Sequence, residues 1–80
     1  MREHPEETIY AADFGNLCTN QGLIFYHGGE PQKALPWYDR AVDVLMAAHR
    51  RYPRDGDCTY RCVAALGNRA MTWNVLQEHQ

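Results

Sequence analysis

Residues 20–41 read NQGLIFYHGGEPQKALPWYDRA, and this stretch decides the fold. It predicts the end of one helix, a tight turn and the start of a second helix. Gly28 and Gly29 are expected to end the first helix, because glycine readily adopts the left-handed backbone of a helix C-terminal cap. Pro31 is expected to open the second helix, where its fixed φ and missing N–H are tolerated.

Small residues on both sides of this turn indicate that the two helices approach closely. Gly22 and Ala34 lie where two antiparallel helices would come nearest, and only small residues let the backbones approach there. Phe25 and Tyr38 are the bulky side chains, each expected to fill the space beside the small residue of the facing helix. The stretch therefore predicts an antiparallel helical hairpin.

Six residues in one register carry a family resemblance: Gly22, Phe25, Gly29, Ala34, Tyr38 and Ala41. With them the chain resembles the tetratricopeptide repeat, a helix-turn-helix unit that stacks into solenoids. The preceding Asn20 and Gln21 resemble the Asn-Arg/Gln-Gly variant of bacterial repeat proteins. The resemblance implies an all-α fold and a function in protein–protein interaction. A generic antiparallel helical hairpin is the alternative interpretation.

Hydrophobic periodicity predicts three helices, at about residues 5–27, 31–51 and 58–78, within a single domain over residues 1–80. Asp55 or Asp57 is expected to cap the third helix. The apolar positions expected on the first helix are Ile9, Phe14, Leu17, Cys18, Gly22 and Phe25. Those on the second are Ala34, Leu35, Tyr38, Ala41, Val42, Leu45 and Met46. Those on the third are Val63, Leu66, Ala70, Trp73 and Leu76.

An internal repeat of 48 residues relates the third helix to the first. It aligns Pro5 with Pro53, Asn20 with Asn68, Gly22 with Ala70, and Phe25 with Trp73. The chain thus contains one and a half extended repeats, and the partner of the third helix is missing. An uncovered repeat end leaves apolar surface in water, so we expect a self-association face at Leu66, Trp73 and Leu76. A fragment of a longer protein is the favoured explanation, with a natural small subunit or a dimer second.

The resemblance implies a concave groove in which a partner peptide lies along the first helix of each repeat. The residues that it assigns to this groove are Asn16, Asn20, Leu23, His27, Asn68 and Met71, together with Thr19, Ala64 and Gly67. Asn20 and Asn68 matter most, because one amide group both donates and accepts hydrogen bonds. The alternative role for these two asparagines is hydrogen bonding between helices, which would hold the repeats in register.

Composition and motifs exclude other classes of function. The net charge of −2 gives no basic surface for nucleic acid, and no apolar run is long enough to span a membrane. Three cysteines without an export signal indicate reduced thiols and a cytoplasmic protein. Cys58 and Cys62 are spaced as metal ligands, but two further ligands are not spaced to join them, so packing is the expected role. We therefore expect no enzyme activity, no metal and no cofactor; the expected partner is a protein or peptide, and a homodimer is possible.

Overall fold

The computed structural model describes residues 6–78, and this part of the chain is all-α. Helix α1 spans Glu6–His27, α2 spans Pro31–Arg51 and α3 spans Gly56–Glu78. α1 and α2 form the predicted antiparallel hairpin, and α3 packs more extensively on α2 than on α1. The predicted fold class is confirmed. The predicted start of α1 at Pro5 lies outside the described residues.

The turn between α1 and α2 depends on one glycine with a positive φ. Gly29 has φ +85°. The Glu30 N–H donates to the Phe25 carbonyl at 2.9 Å, and the Gly29 N–H donates to the Tyr26 carbonyl at 3.3 Å. This pair of bonds is the Schellman motif, which satisfies carbonyls left open at a helix end. The predicted end of α1 at the two glycines is confirmed, and Pro31 begins α2 as expected.

The start of α3 differs from the predicted one. The Asp55 carboxylate accepts a hydrogen bond from the Cys58 N–H at 3.0 Å, which makes Asp55 the N-cap. α3 therefore begins at Gly56, two residues before the predicted position 58. Asp57 lies inside the first helical turn, where its carboxylate pairs with Arg61 at 3.2 Å.

Two glycines of α1 set the distance between α1 and α2. A Cβ atom placed on Gly22 would lie 2.5 Å from the ring of Tyr38, and one on Gly15 would lie 2.7 Å from Leu45. Tyr38 and Leu45 are among the fully buried side chains. The expected contact of Tyr38 with Gly22 is therefore present, and Gly15 with Leu45 forms a second contact of the same kind two turns away.

This close approach changes which residues of α1 are buried. The buried residues are mostly small: Thr8, Ala11, Ala12, Gly15, Cys18 and Gly22. The predictions for Ile9 and Leu17 were wrong, since these side chains are 49% and 67% exposed. The contact face has no room for larger side chains, so Ile9 and Leu17 lie outside it, while Phe14 and Phe25 are half-buried and Phe14 packs at the edge of the core.

α2 follows the prediction more closely than α3. Of the expected α2 stripe, Ala34, Tyr38, Ala41, Val42 and Leu45 are buried, while Leu35 and Met46 are half-buried. α3 instead buries Cys58, Cys62, Ala65 and Thr72. Val63, Ala70 and Trp73, which were expected on its apolar face, are exposed. α3 thus contacts the hairpin with one row of residues and turns a second apolar row outward.

Gly22→Ala should destabilise the chain by about 1–3 kcal/mol, because the new methyl group overlaps a buried ring that has no free space to move into. Gly67→Ala is the matched control, since nothing lies within 4 Å of the added Cβ. This control should gain up to about 1 kcal/mol from helix propensity. Urea unfolding followed by circular dichroism measures both, and equal stability of the two variants would refute the close contact.

Candidate partner-binding surfaces

α1 and α3 run in parallel, and their register matches the internal repeat. At one end Asp13 lines a polar pocket with Arg61, a residue 48 positions later. At the other end Tyr26 lines an apolar pocket with Val75, which follows it by 49 positions. The sequence repeat is therefore also a spatial one, and residues 48 apart lie at the same level on the two helices.

The residues assigned to the predicted groove lie on α1 and α3, between the levels of these two pockets. Asn20 and Asn68 are 48 apart, so they lie at the same level on the two helices. Asn16, Asn20 and His27 are exposed, Leu23 and Asn68 are half-buried, and Met71 is 40% exposed. Of the neighbouring positions, Ala64 and Gly67 are exposed and Thr19 is half-buried. The rim of the groove is thus accessible along both helices.

The two asparagine amides of the groove make no internal hydrogen bond within residues 6–78. The main-chain carbonyl of Asn68 accepts a bond from the Thr72 hydroxyl at 2.8 Å, but its side chain takes no part. The alternative role in hydrogen bonding between helices is therefore not found in the described part of the chain.

The start of the groove is more acidic than its middle. Asp13 and Asp57 line the polar pocket there, and the one cation beside them, Arg61, is already paired with Asp57. The middle of the groove carries neutral side chains at Asn20, Leu23 and Asn68. A partner with positive charge would therefore be favoured at this end.

The outer face of α3 is a second accessible surface. We define it by Val63, Leu66, Ala70, Trp73, Asn74 and Gln77 of α3. Asp39 of α2 borders it. Trp73 is 50% and Val63 is 61% exposed. Leu76, which was expected on the same face, instead lines the apolar pocket with Tyr26 and Pro31. The predicted self-association residues therefore divide between two places.

A third surface, the outer stripe of α1, was not predicted from the sequence. Tyr10, Leu17 and Ile24 are 66%, 67% and 63% exposed. They recur every seven residues, which keeps them on one side of the helix. Phe14, one turn after Tyr10, stacks on its ring with centroids 6.0 Å apart. The seven-residue spacing of exposed apolar residues is the signal that could have identified this stripe.

The cysteines are packing residues in this structure. Cys18, Cys58 and Cys62 are free thiols and all are buried. Burial raises the pKa of each thiol, and for Cys58 the carboxylates of Asp55 and Asp57 raise it further. The position of Cys58 near the start of α3 therefore does not produce a reactive thiolate.

The described residues form neither a metal site nor a membrane-spanning helix. Residues 6–78 contain no group of three or more His, Cys, Asp or Glu side chains placed to hold a metal ion. None of the helices in this range combines the length and apolar character that crossing a membrane requires. No protein family profile matches the chain, and no solved structure matches it.

Stability should fall at alkaline pH, because the folded chain holds its thiols protonated. The ordinary thiol pKa is 9.0, and burial raises the pKa of Cys58 above it. Below pH 9 both folded and unfolded chains are protonated, so the thiols do not change the free energy of unfolding. Above pH 9 the unfolded chain loses its protons first, and each such thiol lowers that free energy by about 1.4 kcal/mol per pH unit.

Urea unfolding between pH 7 and 10.5 tests this expectation. The variant Cys58→Ala should show a smaller decline with pH than the unmodified chain, even if its stability at pH 7 is lower. An identical decline in both proteins would mean that the Cys58 thiol is not shielded from water.

Proposed function

We propose that the chain is a protein–protein interaction module that binds an extended peptide in the groove between α1 and α3. One observation carries this proposal: Asn20 and Asn68 lie at the same level on the two helices, and neither amide makes a hydrogen bond within residues 6–78. The resemblance to tetratricopeptide repeats, in which such positions contact ligands, supports the same function.

Each asparagine would bind the main chain of the peptide. Its amide group donates to a peptide carbonyl and accepts from a peptide N–H, which recognises backbone without requiring a particular side chain. Leu23 and Met71 would provide apolar contacts, and His27 would add a polar contact near the end of α1. A basic side chain of the peptide would lie near Asp13. Because these contacts are few, a peptide would have to make several of them at once to offset the entropy that it loses on binding.

In this function the module acts as a scaffold and performs no chemistry on its partner. We place it in the cytoplasm, because its three cysteines are free thiols, and thiols persist in reducing compartments.

The double variant Asn20→Ala/Asn68→Ala should weaken peptide binding by about 1–3 kcal/mol, since it removes hydrogen bonds and leaves peptide groups unpaired. The ligand would first be selected from a displayed library of unstructured peptides, and its affinity then measured by calorimetry. Asn74→Ala is the matched control, because it removes the same amide from the outer face of α3. If the double variant folds normally and binds as tightly as the control, the groove is not the site.

A second candidate function is structural, with the outer face of α3 joining the chain to a larger assembly or to a second copy. The half-exposed Trp73 beside Leu66 favours it, because apolar surface at the edge of a helical layer marks an interaction site. The chain would then serve as a spacer or an association segment.

Self-association through this face would make the solution mass rise with concentration, measured by light scattering over a hundredfold range. Leu66→Asp should keep the mass at that of a monomer by placing a charge in the interface. The groove variant Asn20→Ala/Asn68→Ala should leave the mass unchanged. A dimer that survives Leu66→Asp would exclude this face.

A further inference from the structure

The internal repeat relates the outer face of α3 to the face by which α1 holds α2. α1 packs on α2 through Ala11, Gly15, Cys18 and Gly22. Adding 48 to these positions gives Thr59, Val63, Leu66 and Ala70. The last three belong to the outer face of α3, where Val63 and Ala70 are exposed and Leu66 is half-buried at the edge of the core. α3 therefore presents the surface against which a helix like α2 would pack.

The two faces, that of α1 toward α2 and the outer face of α3, also have similar types of residue. Each row consists of small or medium residues at the positions that meet the facing helix, and each has an aromatic residue next in register, Phe25 in α1 and Trp73 in α3. A ridge of apolar residues on a facing helix packs into such a row. The outer face of α3 is thus suited to an amphipathic helix, antiparallel to α3, rather than to an extended peptide.

Residue sizes show how this helix must differ from α2. Tyr38 of α2 packs on Gly22, where even one Cβ atom would lie 2.5 Å from its ring. The equivalent position in α3 is Ala70, which carries that Cβ atom. Leu45 similarly packs on Gly15, and the equivalent residue is the larger Val63. The facing helix therefore needs a side chain smaller than tyrosine opposite Ala70 and a small residue opposite Val63.

The charges beside the face favour a basic helix. Asp39 of α2 and Arg69 of α3 both border the face and pair with each other at 3.2 Å, so this pair adds little net charge. Asp43 lies one turn further along α2 on the same side, is exposed and has no ion pair within residues 6–78. A lysine or arginine on the edge of the docked helix would lie near these carboxylates.

We propose that the outer face of α3 is a docking site for a basic amphipathic helix that packs antiparallel to α3, in the way α2 packs on α1. The proposal rests on the second candidate function, association through this face, and specifies the partner. A second copy of the chain fits less well. Its α2 is already buried against its own α1, and packing α3 on α3 would bring Asp39 and Asp43 of both copies to one interface.

The test uses the full chain and a peptide with the sequence of residues 31–51 that carries Tyr38→Leu and Leu45→Ala. These two changes fit the peptide to Ala70 and Val63, and its Lys33, Arg40, Arg50 and Arg51 outnumber its two aspartates. Fluorescence anisotropy of the labelled peptide should show saturable binding below 1 mM, on the order of the weakest specific affinities. The unmodified peptide 31–51 is the matched control and should bind about tenfold or more weakly, because its larger side chains overlap the face.

Two variants of the full chain locate the binding. Trp73→Ala should weaken binding of the modified peptide about tenfold or more, and Asp43→Asn should weaken it less and reduce its dependence on salt. Leu17→Ser, on the exposed outer stripe of α1, should change nothing. NMR signals of Leu66, Ala70 and Trp73 should shift on binding, whereas shifts centred on Gly22 would mean exchange with α2 and overturn the site.

The remaining outcomes separate this proposal from the function on which it rests. One outcome is a dimer that Leu66→Asp dissociates. This result would support association through the outer face but would refute the basic helix as its partner, because the partner would be a second copy of the chain. A stable monomer that binds neither peptide would overturn both.

Discussion

The contact between Gly22 and the ring of Tyr38 sets the spacing on which the whole structure depends. It brings α1 and α2 close enough to bury Tyr38 completely. The Tyr38 hydroxyl is buried with the ring and makes no hydrogen bond of ordinary geometry within residues 6–78, although it lies near the Thr72 side chain of α3. Burial raises the pKa of this hydroxyl. An unpaired buried hydroxyl destabilises by about 1–3 kcal/mol, so packing of the aromatic ring where the three helices meet must outweigh that penalty.

The same spacing explains why the largest apolar residues of α1 are outside. A face made of glycine and alanine leaves Tyr10, Leu17 and Ile24 on the opposite side of the helix. Adding 48 to these positions gives Cys58, Ala65 and Thr72, which are three of the four residues that α3 buries on the hairpin. The outer stripe of α1 therefore has the register of a helix-packing face. α1 and α3 therefore each carry, on their outward side, residues that are equivalent in the repeat to residues that pack between helices.

The hairpin could be predicted from the sequence because its signals are local. Glycine at a positive φ, proline at the first helical position and small residues across a turn each constrain a few neighbouring residues, and the ends of α1 and α2 followed from them. Burial on α1 could not be predicted in the same way. Periodicity identifies apolar residues, but the face of α1 that contacts α2 consists of small residues. Leu17 is therefore exposed and Gly15 is buried. The repeat spacing predicts that Asn20 and Asn68 lie at the same height along α1 and α3. It does not predict whether their amides form hydrogen bonds, because that depends on the geometry of the side chains around them.

The groove and the outer face of α3 are linked through the position of α3 itself. α3 contacts the hairpin mainly through the small side chains Cys58, Cys62, Ala65 and Thr72, and small side chains bury little apolar area per residue. Asn68 belongs to α3, so the position of Asn68 relative to Asn20 depends on how firmly α3 packs on the hairpin. A helix covering Leu66 and Trp73 would bury the opposite side of α3 and reduce its freedom to move. If both proposed sites are used, occupation of the outer face would hold Asn68 level with Asn20 and lower the entropy that a peptide must lose on binding.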